Sequence, residues 1–154
     1  MQISNILSPS AIRVVGAMTS KKRLFQELGD LAHGVHGLPA TRAVEALMER
    51  ESLGPTAVGH GIALPHARLD DASKVCGVFL RIERPMEFDS ADRKPVDLVF
   101  ALFAPSNAGV EHLKALALVS RTLRDQTLCA KLRANDDPAV LHTILTELAT
   151  RQAA

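Results

Sequence analysis

Val96-Asp97-Leu98-Val99-Phe100-Ala101-Leu102-Phe103 is apolar at every position except Asp97. A strand with one face in water alternates apolar and polar residues; this run does not, so it reads as a central strand covered on both faces. A second β-rich apolar run, Val75 to Ile82, supplies a neighbour. Glu83 to Pro95 between them is polar, carries Pro85, Phe88 and Pro95, and reads as a surface loop.

Helical periodicity flanks these strands. Leu24, Phe25, Leu28, Leu31, Ala32 and Val35 recur at three- and four-residue spacing after Ser20, an N-cap residue, and before Gly37 and Pro39, which stop a helix. A second helix spans about Thr41 to Glu51 with Val44, Leu47 and Met48 inward, ending at Gly54-Pro55. From about Gly109 a long helix carries His112, Leu116, Val119 and Leu123 on one stripe. Two more follow, roughly Gln126 to Arg133 and Pro138 to Arg151. In the latter, Asp137 is the N-cap and Val140, Leu141, Ile144, Leu145 and Leu148 face inward. The sheet should therefore lie between helices, giving an α/β fold built as a three-layer α/β/α sandwich.

At 154 residues the chain suits a single domain, 1–154, able to bury roughly two-thirds of its unfolded surface. With 18 basic and 17 acidic residues interspersed, it has no basic field for nucleic acid and no Lys/Arg cluster for a membrane surface. The absence of Trp and Tyr leaves base stacking poorly supplied. Cys76 and Cys129 sit among apolar or helical neighbours and read as buried thiols in a reducing compartment. Met1 to Asn5 is not a basic n-region followed by an apolar h-region, and no run has transmembrane length, so the reading is cytoplasmic.

The run with chemistry in it is Gly59-His60-Gly61-Ile62-Ala63-Leu64-Pro65-His66-Ala67-Arg68. Two glycines, an apolar step and a proline just ahead of His66 describe backbone that stops pairing and presents one imidazole at a surface. A neutral imidazole is a good nucleophile near pH 7, and a phosphorylated one retains transfer potential. The chain lacks a Walker loop, a G-x-G-x-x-G turn and a kinase signature set, so nothing in it is built to hold ATP and Mg²⁺. No cofactor is expected, and any phosphoryl group would come from a protein.

His112 falls in the first turn of its helix, whose positive end favours a neutral ring able to donate to phosphate oxygens. Arg50, at a helix end, and Arg68 are candidates for charge-assisted contacts to phosphate. Taken alone, a histidine in a glycine-rich turn is more often structural than catalytic, one on an apolar stripe is more often a satisfied core histidine, and Arg50 reads as a solvated helix charge. His33, His36 and His142 read as surface residues. A zinc site from His60, His66 and His112 lacks the usual ligand spacings, and no G-x-S-x-G elbow serves a hydrolase. If His66 and His112 share one phosphoryl group, their rings must lie within roughly 8 Å.

Thr56 to Arg68, T-A-V-G-H-G-I-A-L-P-H-A-R, resembles the active-site motif of the mannitol/fructose-type IIA domains of the phosphoenolpyruvate-dependent phosphotransferase system, most closely their nitrogen-regulatory branch. The similarity extends to I-S-N-I-L-S-P from Ile3, R-E-S-L-G-P-T from Arg50, P-V-D-L-V-F-A-L from Pro95 and E-H-L-K-A-L-A-L-V-S from Glu111. Two departures stand out: Ala57-Val58, where the nitrogen type usually has Gly-Ile, and Ala67-Arg68, where the family often has Gly-Lys. The resemblance implies a mixed sheet flanked by helices, with His66 phosphorylated, His112 beside it and Arg50 near the phosphate. It also implies a histidine-phosphocarrier protein as donor.

Two functions follow: a phosphohistidine carrier that regulates target proteins by its phosphorylation state, or a sugar-uptake component passing phosphate to a membrane permease domain. The first is favoured because the chain reads as standing alone, without an appended permease or carrier domain, and resembles the nitrogen-type branch throughout. The identity of the targets and the choice between monomer and homodimer lie outside what motifs encode.

Overall fold

The computed structural model describes residues 1–153, and the side-chain environment of residues 1–147. Its elements are α1 (Ile3–Ile6), β1 (Ile12–Val15), α2 (Lys21–His36), α3 (Ala40–Ser52), β2 (Ala57–Gly59), β3 (Ile62–Ala63), β4 (His66–Leu69), β5 (Cys76–Met86), β6 (Val96–Pro105), α4 (Val110–Leu123), α5 (Gln126–Arg133) and α6 (Pro138–Ala153). A 3₁₀ turn, Pro9–Ala11, leads into β1.

The expected central strand is central. In β6, Val96 and every residue from Leu98 to Ala104 are fully buried, and only Asp97 and Pro105 are half-exposed. The sheet runs β1-β5-β6-β3-β2, with β4 also pairing β6. It is mixed: β5 and β6 are antiparallel, β1 is parallel to β5, and β3 and β4 are parallel to β6. Helices flank it, α2 on β5, α3 on β4, α4 on β6 and α6 on β1, which makes the α/β sandwich.

Capping behaves as the sequence predicts. Ser20 Oγ accepts from Arg23 N at 3.1 Å, and Gly37 ends α2 in the left-handed region at φ 71°. Asp137 Oδ1 accepts from Ala139 N at the start of α6. Gly29 lets α2 and α3 touch, since a Cβ there would meet Val44 Cγ2 at 2.6 Å.

Several expectations need correction. The segment after Ile82 is not simply a loop: β5 continues to Met86, which pairs with Val96. Phe88 folds back to full burial, edge-on to Phe25 at 6.2 Å. Met48 and Val140 are exposed rather than inward, because Ala43 with Leu47, and Leu141 with Leu145, already fill those contacts. Leu148 lies outside the residues whose side chains are described. His33 is exposed and His36 and His142 partly so, as expected, but their rings are not idle: they meet the carbonyls of Leu38, Gly77 and Leu7 at 2.9–3.0 Å.

The glycine-rich run does not stop pairing. β3 sets Ile62 opposite Leu98, and β4 sets His66 opposite Leu102 at the same sequence offset, so both continue one line along the edge of β6. Pro65 interrupts that line because it has no N–H, yet its carbonyl still accepts from Leu102 N at 2.9 Å. His66 is thus the first residue of a strand resting on the buried centre of the sheet.

Candidate phosphoryl-handling site

Gly59, His60 and Gly61 take left-handed conformations in succession, with φ of 91°, 58° and 80°. His60 can hold a conformation that L-residues disfavour because both sides of its backbone are tied. Its N–H donates to Asp92 Oδ2 at 2.9 Å, and its carbonyl accepts from Arg133 Nη2 at 2.8 Å. Three donors, from His60, Lys94 and Ser90, hold the Asp92 carboxyl down at about 2. Arg133 also grips Asp97 through two 2.8 Å bonds. This brace was missed from sequence, although a lone Asp in an otherwise apolar central strand signals a charged partner.

His66 is half-buried, and its Nδ1 lies 2.8 Å from the Leu64 carbonyl oxygen. A carbonyl can only accept, so Nδ1 carries the ring proton and Nε2 keeps the lone pair. Burial, and secondarily the Arg50 charge, hold the ring below its ordinary value, although the Leu64 bond and Glu51 oppose them. The imidazole is therefore neutral near pH 7 with one nitrogen free to attack. Arg68, two residues on, shares the strand face of His66 while Ala67 and Leu69 turn into the core.

Gly109 caps α4, and His112 follows in its first turn at 5% exposure. Its ring centroid lies 5.6 Å from that of His66, inside the roughly 8 Å that sharing one phosphoryl group requires. Burial, then the neighbouring His66 and Arg68, push it below its usual value. His112 Nδ1 is sealed without a hydrogen-bond partner among the described residues, so Nε2 is the nitrogen through which this cleft-lining ring can meet an incoming group. Arg50, in the last turn of α3, donates to Gly54 O at 3.0 Å and has no carboxylate within ion-pair distance among the described residues.

The structure brings all four candidates, Arg50, His66, Arg68 and His112, to one cleft of about 580 Å³, floored by apolar Ala46 and Leu116 and rimmed by Leu53 and Leu113. His60 instead lines a separate depression with Arg133 and Lys94. Among the described residues no group of three or more His, Cys, Asp or Glu is arranged for a metal ion. Cys76 and Cys129 are buried free thiols, Cys76 pushed up to about 11 by its burial. Ala57 lies in the extended strand β2 with no positive φ, so a methyl where the nitrogen-type pattern has glycine introduces no strain.

A half-buried and a buried imidazole, both held toward the neutral form, share one cleft with two arginines at a strand of a mixed sheet, an arrangement whose chemistry suits a small dianion. Residues 5–148 match the family model of the phosphoenolpyruvate-dependent sugar phosphotransferase system, EIIA 2, and the chain belongs to that family. It is 45% identical over 145 residues to the nitrogen regulatory protein of Bradyrhizobium diazoefficiens, across 94% of this chain and 95% of that protein. The crystal structure of nitrogen regulatory protein IIA-Ntr from Neisseria meningitidis superposes with a TM-score of 0.86 at 36% identity, covering 94% of this chain and 99% of that one. The fructose-specific EIIA component of Haloferax volcanii is 36% identical over 106 residues, 69% of each chain. Among the described residues no helix is long and apolar enough to cross a membrane.

Proposed function

We propose that this protein is a regulatory phosphohistidine carrier of the nitrogen-type phosphotransferase system, acting as a single domain in the cytoplasm. The observation that carries the reading is the Nδ1 bond to Leu64 O, which leaves His66 Nε2 with its lone pair in a cleft holding Arg50, Arg68 and His112. Nε2 attacks the phosphorus of a phosphohistidine on a phosphocarrier protein. The new N–P bond forms as the donor's N–P bond breaks, and the donor imidazole leaves with that electron pair. His66 Nδ1–H stays on the Leu64 carbonyl throughout. Arg50 and Arg68 offset the charge on the transferring oxygens, and His112 Nε2–H donates to one of them.

The regulatory role rests on relatives: the nitrogen regulatory protein of B. diazoefficiens aligns over nearly its whole length, whereas the fructose-specific protein aligns over about two-thirds at lower identity. In this reading the phosphorylated and free forms bind different target proteins. The test is incubation with phosphoenolpyruvate and the two general phosphotransferase proteins. One acid-labile phosphoryl group is expected, absent in His66→Ala; an acid-stable ester, or label persisting in that variant, overturns the assignment. Transfer of the label onward to a sugar permease domain, with no target binding that depends on phosphorylation, would instead establish the transport role.

A further inference from the structure

We infer that Glu51 is a positioning residue for His66, acting through Thr56 and Leu64 to fix which imidazole nitrogen is free to react. The chain of contacts is continuous. Glu51 Oε1 accepts from Thr56 Oγ1 at 2.6 Å, and both carboxylate oxygens lie within 3.2 Å of Thr56 N. The Thr56 carbonyl accepts from Leu64 N at 3.0 Å, and the Leu64 carbonyl takes the His66 Nδ1 proton at 2.8 Å. Thr56 thus anchors Leu64 at its N–H, and the peptide unit that follows, whose nitrogen is that of Pro65, carries the carbonyl that meets His66, so the grip is passed on across the Leu64 Cα.

The carboxylate is itself held on every side. Its side chain is 7% exposed, and Lys21 Nζ reaches Oε2 at 3.0 Å while lying 4.7 Å from the Phe88 ring centroid and 3.3 Å from Asp89 Oδ2. Thr56, 5% exposed, presents both a buried N–H and a buried hydroxyl just after Gly54-Pro55, where the chain has left α3 and has no ladder partner for them. Only an acceptor with two oxygens answers both donors and Lys21 together. The last turn of α3 therefore serves the site twice: Arg50 reaches the cleft directly, and Glu51 reaches it through two backbone links.

This inference rests on the proposed role of His66, but its first readout does not need phosphotransfer. Nitrogen-15 spectra of the unphosphorylated protein report the His66 tautomer, which in the wild type should carry its proton on Nδ1. In Glu51→Gln the amide group must turn a donor toward Thr56 N–H or Lys21, so the Nε2–H tautomer should rise. His66 should also titrate lower once the carboxylate is gone, and phosphorylation should slow on the order of tenfold to a hundredfold. Thr56→Val, which removes the shortest contact and keeps the carboxylate, should move the tautomer and the rate the same way, and Thr56→Ser should restore them.

The two threonine variants decide the matter if Glu51→Gln does not fold. A wild-type tautomer and rate in Glu51→Gln, or Thr56→Ser as impaired as Thr56→Val, overturns the positioning role. A wild-type protein that accepts no phosphate at all would refute the carrier function, while the tautomer spectra still judge Glu51.

Discussion

Replacing Gly61 with alanine tests whether the brace under the glycine-rich run is what holds the site in place. At φ 80° a Cβ would stand 2.6 Å from Arg133 Nη2 and 2.9 Å from Asp97 Oδ1, between the two partners of the ion pair. The left-handed conformation costs an L-residue about 1–2 kcal/mol. Displacing the guanidinium weakens its bonds to Asp97 and His60 O, each worth about 1.5 kcal/mol at this partial exposure, the low end for a charged pair. The carbonyl of Gly61 also accepts from Asp97 N and Leu98 N at 3.0 and 3.1 Å, so the backbone cannot relax without loosening the start of β6. The expected loss is about 3 kcal/mol, which for a chain of this size lowers Tm by about 6–12 °C. Urea unfolding followed by circular dichroism measures it. Gly34→Ala is the control: it sits inside α2 with nothing within 4 Å of the added methyl, and should gain about 0.5–1 kcal/mol through helix propensity. A loss at Gly61 below about 1 kcal/mol, or a shift no different from that at Gly34, would refute the reasoning.

Three further outcomes follow from the site. His112→Ala should still accept phosphate at His66, about 10²-fold more slowly, since it removes an orienting donor and not the nucleophile; peptide mapping that places the phosphate of the intact protein on His112 would reverse the two roles. Arg50→Gln removes a charge that holds His66 low, so His66 should titrate at a higher pH than in the wild type while phosphorylation slows, and NMR titration of the ring checks the direction. Both rings are held below the ordinary histidine value, so on acidification the unfolded chain takes up protons before the folded one does. Stability should then be indifferent to these two groups above about pH 6.5 and fall as pH drops below it, with a flatter profile in His66→Gln/His112→Gln. A wild-type Tm that rises between pH 7 and pH 5.5 contradicts that sign.

The site depends on β4 lying along β6 and on α3 packing against β4. His66 owes its orientation to a strand that would be too short to stand alone, four residues long, and gains it by pairing with Leu102 to Pro105 of β6, which is buried from Leu98 to Ala104. A carrier must expose its nucleophile to a protein partner without letting it wander. Here the ring faces the cleft while its backbone is locked from below.

Features that repeat or punctuate are legible in the order of residues alone. The unbroken apolar run of β6 required cover on both faces, Ser20 and Gly37 bounded α2, and the four- and three-residue spacing put His112 on the stripe of Val119 and Leu123. Periodicity and capping are local, and each needs only neighbours a turn away. The burial of Phe88, the exposure of Met48 and the pairing of β2, β3 and β4, whose two to four residues are too few to display a period, emerge with three-dimensional packing. The Arg133 grip on Asp97 and the path from Glu51 through Thr56 and Leu64 to His66 belong to the same class. These are choices among many chemically equivalent partners far apart in the chain, and they are settled by which side chains the sheet register brings within about 3 Å of one another.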